Sequence, residues 1–522
     1  NALRNLEIDG GIMQFINPCR WKLFLMVSLC ATICWSRSFY IDANNGNDKA
    51  TGNTPALAWK SFDSTYTKVN QPGDTILLKR GCTWKHYLVL YHGGTSQVPV
   101  VLTSYGDSAL ARPTLTDTNG YVMGIGASHI IVENIAVHAP RGYCISSAAE
   151  HLTDVTIQDN EASDCQNGIA LGGVIGAIIQ RNFIHNIHFA NGGAGAIAIT
   201  LDSCQKAKIL HNTIRNAIDG TGTTEDGGAV ELFRTNRNIE IAWNKAYHTA
   251  GFLEMGGFHG DTMWNVAIHH NTAMEVQNFA WCSVLTPKDS SNIWAIGFSN
   301  IFMDNNTHIQ MYRKAGLSIG VSQSLLDSSQ IRVRNNMMYG DSLNGFLFLG
   351  PFSRGNNLFW TTLAGAYRPT LASGELFTDP LITIDTSTIT YALDKKSPAI
   401  GAGAILTYPD TFHLTELTTS TAPTIGALEY SASTAIAQSA LHASNWGIQI
   451  HNNQLILTGI SNAQGKLAIT LFDGAGRVLM HKSDFANRGI IQETWDMPKL
   501  RSPAFFYLSI AGHNIYQTVI LP

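Results

Sequence analysis

The chain has 522 residues, 45% of them hydrophobic and 14% charged, with 47 glycines and a formal net charge of −4. That is the composition of a globular chain long enough for more than one domain and rich in tight turns. No basic run accompanies it, which removes nucleic acid from the expected partners.

Residues ahead of the first methionine, Met13, read as upstream sequence. From Met13 a short basic stretch with Arg20 and Lys22 precedes the apolar run from Leu23 to Trp35, with the small residues Cys34 and Ser36 at its end. This is the layout of a secretory signal peptide, so residues 1–36 are expected to be cleaved near Ser36. A membrane anchor would need about 18 or more apolar residues, more than this run offers. Leu29 before Cys30 and Ile33 before Cys34 do not suit lipid attachment. The mature chain is therefore expected to be extracellular or at the cell surface, with no transmembrane anchor. Beyond the leader remain Cys82, Cys144, Cys165, Cys204 and Cys282. An odd number at irregular spacing gives no disulfide framework and no zinc signature, and buried thiols in a stacked core are expected.

Between about 120 and 360 a short apolar strand, a few polar residues and a second strand ending in asparagine recur. The phrases are IVEN at Asn134, IQDN at Asn160, IQRN at Asn182, ILHN at Asn212, IAWN at Asn244, IHHN at Asn271 and VRNN at Asn336. Through Asn271 they are 26, 22, 30, 32 and 27 residues apart. A loose period of strand-sized units is the mark of a β-solenoid, whose coils bury an inner face only by stacking. Asparagine hydrogen-bonds neighbouring backbone and tolerates the left-handed conformation of a tight corner, so these residues are expected to stack as a structural ladder.

Ahead of the coils lie FYIDANNGNDKATG, AWKSF and PGDTILLKRGCTW, and after them SPAIGAG (397–403) and TIGALEY (424–430). Here the sequence resembles the amino-terminal cap, first coils and closing segment of secreted bacterial right-handed parallel β-helix proteins. That superfamily includes pectate lyases, alginate lyases, polygalacturonases and related glycosidases. The resemblance implies an all-β chain with a right-handed parallel β-helix over 37–430. A Ser/Thr/Ala-rich linker over 431–444 follows. Beyond it LAITLFDGAGRVLM alternates apolar and polar residues around a Gly-rich turn, as a β-hairpin does. Residues 445–522 are expected to form a small β-sandwich. They are similar to the carboxy-terminal sorting domains of type IX secretion cargo, which implies a secretion machinery as partner; an appended carbohydrate-binding sandwich is the alternative.

Aligned on their apolar strands, the coils give IAL (169–171), IAI (197–199), VEL (230–232) and LEM (253–255). Side chains alternate faces along a strand, so the outward column reads Ala170, Ala198, Glu231, Glu254. The two glutamates, one coil apart, should lie on strands about 4.8 Å apart. Like charges so placed repel unless they share a proton, hold a cation or splay into solvent. A shared site would raise one pKa and leave the other group ionised, and a carboxyl separation of about 5 to 5.5 Å is what retaining glycosidases use. Around them lie Asp226, Arg234, Arg237, Trp243, His259, Asp261, Trp264 and Trp281, aromatic faces and polar edges suited to sugar rings, with the alanines as an open floor for further sugar units. Trp243, His269 and His270 fall within ladder phrases, where a packing or corner role is expected.

Three functions compete. A glycoside hydrolase would use Glu231 and Glu254, assisted by Asp226 or Asp261, with Trp264, Trp281, His259, Arg234 and Arg237 binding a polysaccharide and no cofactor required. A polysaccharide lyase acting on uronates would hold Ca²⁺ through Asp226, Glu231 and Glu254, with Arg234, Arg237 or Lys245 as base or charge clamp. A non-catalytic glycan-binding surface protein is the third. A monomer is expected in each case.

Overall fold

The computed structural model describes residues 36–430 except 189–194, 219–226, 259, 283–296, 312–316, 322–329, 341–345, 350–351, 362, 364–367, 410–413 and 416–421, and beyond 430 seven strands between 446 and 517. The leader (1–36, of which only residue 36 is described) and the linker over 431–444 lie outside the described residues. No helix among the described residues is long and apolar enough to cross a membrane. The chain divides into two compact units. One holds the coils to Thr378 with 403–421 and 425–427; the other holds Asp379–Ala402, Ala422–Thr424 and Leu428–Pro522.

In the first unit one coil is repeated. Ile130–Glu133 lies in the first sheet, Ala136–His138 in the second and Tyr143–Ser147 in the third, and Val155–Gln158 then returns to the first. Repetition builds parallel sheets of twelve, twelve and ten strands. Parallel neighbours require a crossover between them, and here the rest of the coil is that crossover. The result is the expected right-handed parallel β-helix.

Stacking in register lines up like residues. Val132, Ile157, Ile179, Ile209, Ile241, Ile268, Met303 and Val333 pair strand to strand in the first sheet, and all are buried. Each such side chain contributes about 1.5 to 3 kcal/mol by leaving water, which no coil could realise alone.

The corner between the first and second sheets takes two residues. The first is left-handed, with φ of 56° at Asp159, 54° at Arg181, 55° at His211, 60° at Trp243 and 54° at His270. The second is the buried asparagine. Asn182 is typical: its backbone N–H and side-chain amide both donate to Asn212 Oδ1 at 3.0 Å, and the amide also donates to the Ile157 carbonyl at 2.9 Å. The ladder runs through Asn160, Asn182, Asn212, Asn244, Asn271, Asn306, Asn336 and Asn357. Three expectations change. Asn134 is not a rung: it is the left-handed corner residue (φ 58°), and Ile135 follows it in the ladder position, donating its N–H to Asn160 Oδ1. Asn306 and Asn357 are additional rungs. The left-handed strain falls on the preceding residue, because the ladder asparagine must aim its amide along the axis.

The ladder ends on a carboxylate. Asn357 donates to Glu375 Oε1 at 2.7 Å, and Arg354 pairs with the other oxygen at 2.9 Å. Segments after the coils pack back on the last few coils: Gly426 N–H donates to the Asn335 carbonyl, Ala427 N–H to Thr307 Oγ1, and Ala404 N–H to Asn335 Oδ1.

Thr407, Tyr408 and Thr415 lie against the outer face of the first sheet. Thr415 donates to Glu240 through its backbone N–H at 2.6 Å and its hydroxyl at 3.0 Å, while Lys208 pairs with the same carboxylate at 2.8 Å and His269 at 3.3 Å. Arg332 grips the buried Asp304 at 2.6 Å, stacks on Tyr408 and donates to the Thr407 carbonyl. His269, expected to be a packing residue, is thus part of a buried polar network around Glu240. Burial alone would raise the Glu240 carboxyl, but His269, Lys208 and Thr415 hold it below its usual value.

In the second unit Ile382–Asp385 and Thr390–Leu393 form a hairpin. Beyond 445 lie an antiparallel three-stranded sheet (Trp446–His451, Gln454–Ser461, Gly489–Asp496) and an antiparallel four-stranded one (Val478–Ala486, Gly465–Asp473, Ala504–Ile510, His513–Gln517). The hairpin expected in LAITLFDGAGRVLM is the pair Gly465–Asp473 and Val478–Ala486.

Two measurements test these interactions. Asn212→Leu leaves the partners of a buried amide unsatisfied and should cost about 3 kcal/mol. Asn216→Gly, in the exposed Asn186–Asn216–His248 row, keeps its left-handed turn and should cost within about 1 kcal/mol. Equal shifts in urea midpoint would contradict the weight placed on burial. Burial also pushes the His308 imidazole down to about 3 and His270 well below its ordinary range. The unfolded chain binds these protons first, so stability is full above about 6.5 and falls with acidification by about 1.4 kcal/mol per pH unit for each imidazole. Glu240, held low, is lost in the same direction at lower pH. His308→Gln should flatten the pH dependence of the thermal midpoint between pH 6.5 and 4; an unchanged slope would be the contrary result.

Candidate functional site

Register in the third sheet defines an outward row: Val89, Gly124, Ser146, Ala170, Thr200, Glu231, Glu254 and Trp281. Glu231 and Glu254 are directly opposed on neighbouring parallel strands, and both are half-buried. Trp281 follows Glu254 and is also half-buried.

Ala198 does not belong to this row. It is fully buried in the core, as is the next residue, Ile199. Alternation between core and surface begins only after Ile199 in the strand Ala196–Asp202, and the row takes Thr200, which pairs with Ala170 and Glu231. Thr200 gives the site a polar contact: its hydroxyl donates to Glu231 Oε2 at 3.3 Å and accepts from the Asn167 side-chain amide at 3.2 Å. A relay across three coils, Asn167 to Thr200 to Glu231, therefore orients the carboxylate. Tyr143 lies within electrostatic reach as well; burial, then Tyr121 and Glu231, push its phenol up.

The strand carrying Glu231 begins with Gly227 and Gly228, at φ of 109° and 151°. A Cβ on Gly228 would sit 2.6 Å from the Gly251 carbonyl oxygen, and one on Gly227 2.7 Å from backbone of Ala196. Only glycine lets this strand approach its neighbours so closely.

Beside the glutamate row runs a second one, Gly172, Asp202, Phe233 and Gly256. Arg234 leaves it at a left-handed corner (φ 61°). Its guanidinium lies over the rings of Phe233 at 5.4 Å and Phe258 at 5.3 Å, with Nε 3.7 Å from Asp202. Its side chain is 46% exposed at the border of the glutamate face.

The remaining candidates lie elsewhere. Arg237 and Trp264 pair in the first sheet, guanidinium over ring at 3.9 Å. Asp261 ties the turn between the third and first sheets, accepting from the Thr235 hydroxyl at 3.0 Å and the Phe258 N–H at 2.8 Å. Lys245 is in the second sheet. Trp243 occupies a ladder corner, stacked on His270 at 4.3 Å. Asp226 and His259 lie outside the described residues. Thr200, Asn167 and Asp202 are polar neighbours that sequence reading missed; the polar threonine within AIAITLD was the available signal.

Among the described residues no group of three or more His, Cys, Asp or Glu is placed to hold a metal ion. Glu231 and Glu254 supply hard oxygen ligands suited to Ca²⁺, but two carboxylates fall short of the six to eight oxygens it takes. Asp226, the third expected ligand, lies outside the described residues.

No protein-family model matches the chain, and no curated protein matches it. Among solved structures it is similar to a GH136 lacto-N-biosidase from Eubacterium ramulus, at 13% identity and a TM-score of 0.44 over 66% of this chain and 67% of that one. It is also similar to a pectate lyase, at 12% identity and a TM-score of 0.41 over 76% of this chain and 96% of that one. An alginate lyase from Paenibacillus sp. matches at 15% identity and a TM-score of 0.32, over 60% of this chain and 95% of that one.

Proposed function

We propose that this chain is a secreted polysaccharide-degrading enzyme that cleaves glycosidic bonds on the outer face of the third sheet, as a glycoside hydrolase with Glu231 and Glu254 as its carboxyl pair. The observation that carries this reading is their direct cross-strand opposition. Parallel strands hold the two backbones about 4.8 Å apart, within reach of the carboxyl separation of about 5 to 5.5 Å that retaining hydrolysis uses. Thr200 donating to Glu231 suits that group to act as the ionised nucleophile, leaving Glu254 as acid and base. Trp281, next in the row, offers an apolar face to a sugar ring. The same reading places the protein outside the cell as a monomer, with 1–36 as its leader and 445–522 engaging a secretion machinery.

Arg234 favours a second reading. A cation at the border of the glutamate face could neutralise a uronate carboxylate and the anion formed when the adjacent proton is removed, which is lyase chemistry.

Neutral and uronic polysaccharides, scored together for reducing ends and ultraviolet absorbance, separate these readings. Glu231→Gln and Glu254→Gln should each lower the release of reducing ends by at least about a hundredfold with the fold intact by circular dichroism. Thr200→Val should cost less, about tenfold, as expected for one hydrogen bond to a charged group. Wild-type rates in both glutamine variants would reject the carboxyl pair. Products absorbing in the ultraviolet would favour the lyase, and binding without product would leave a glycan-binding protein.

A further inference from the structure

Two sulfurs meet under the third sheet. Cys144 lies in the strand Tyr143–Ser147, and Cys165 lies in the turn that carries the next coil into the same sheet. Both residues are fully buried, and their Sγ atoms are 2.7 Å apart. Inward residues on stacked coils ordinarily follow the strand spacing of about 4.8 Å. These sulfurs are far closer, within a small side-chain rotation of the covalent distance of about 2.05 Å. Backbone hems the pair in, with Cys144 Sγ 3.2 Å from the Val137 carbonyl and 3.4 Å from that of Ser163. The other described thiols face different partners: Cys82 Sγ contacts the Asp42 carboxylate, and Cys204 Sγ the Leu171 carbonyl.

We propose that Cys144 and Cys165 are a disulfide site that cross-links two consecutive coils. The reaction is thiol–disulfide exchange. The thiolate of one cysteine attacks a small-molecule or protein disulfide, releasing one thiol of that oxidant, and the thiolate of the other cysteine displaces the second. Two S–H bonds and the oxidant's S–S bond are lost and one new S–S bond forms; the two protons and two electrons both end on the oxidant, which leaves as two thiols. Neither sulfur is accessible once the coils have stacked, and burial pushes the Cys165 thiol well up, away from the reactive thiolate. The exchange therefore belongs to the folding chain, before these coils close. The same burial shields the finished bond from reductant in the native protein. This inference is independent of the reaction carried out on the outer face.

The test is to refold the full chain in mixed oxidised and reduced glutathione, denature it without reductant, alkylate the remaining thiols, digest, and map the peptides by mass. The expected result is a linked pair containing Cys144 and Cys165, lighter by two hydrogen atoms than its reduced halves, with Cys82 and Cys204 alkylated. The link should persist in Cys204→Ala and vanish in Cys165→Ala. Alkylation of both Cys144 and Cys165 without reductant, or a link from either to another cysteine, would overturn the proposal.

Discussion

The buried asparagine ladder is the constraint on which the rest depends. A coil of this helix buries its inner face only if the next coil stacks in register, and register is held at the corner between the first and second sheets. There each asparagine satisfies the backbone N–H and side-chain amide of the rung before it and reaches a carbonyl of the preceding coil. An unsatisfied amide at such depth costs about 1 to 3 kcal/mol, so a slipped coil is penalised at once. The same bonds sustain the strained residue beside each rung. Arginine, histidine and tryptophan all accept a left-handed conformation there at about 1 to 2 kcal/mol apiece.

Once register is fixed, every outward position becomes a row along the axis, and function follows from which rows stay open. On the first sheet, Thr407, Tyr408 and Thr415 lie against Glu240 and Arg332, and Glu240 pairs with Lys208 and Asp304 with Arg332 away from solvent. On the third sheet, Thr200, Glu231, Glu254 and Trp281 remain half-exposed. Buried, partnered charges hold those three residues in place. Glu231 and Glu254, by contrast, are directly opposed and half-exposed on the third sheet.

The ladder phrases were legible because a buried amide at a tight corner leaves few alternatives to asparagine. Asn160, Asn182, Asn212, Asn244, Asn271 and Asn336 all proved to be rungs. Asn134 misled because the corner uses two adjacent positions, and asparagine suits either one: the left-handed site tolerates it and the ladder site requires its amide. The Glu231–Glu254 pairing was legible too, since VEL and LEM have one outward residue each and lie one coil apart. Ala198 was misplaced because AIAITLD contains two apolar–small–apolar triplets, and only register and burial show that the second, with Thr200 at its centre, carries the outward residue.

By itself the sequence determined the β-helix, the recurring corner and the row that carries the two glutamates, because all three follow from patterns local to a coil. Only the tertiary structure decided which candidates share a surface. Arg237 and Trp264 turn onto the first sheet, Asp261 is spent on a turn, and Arg234 stays beside the glutamates. It also decided that Cys144 and Cys165 meet. Contacts of these kinds join separate coils or sheets, and their geometry depends on loop lengths and bends that side-chain alternation along a strand does not encode.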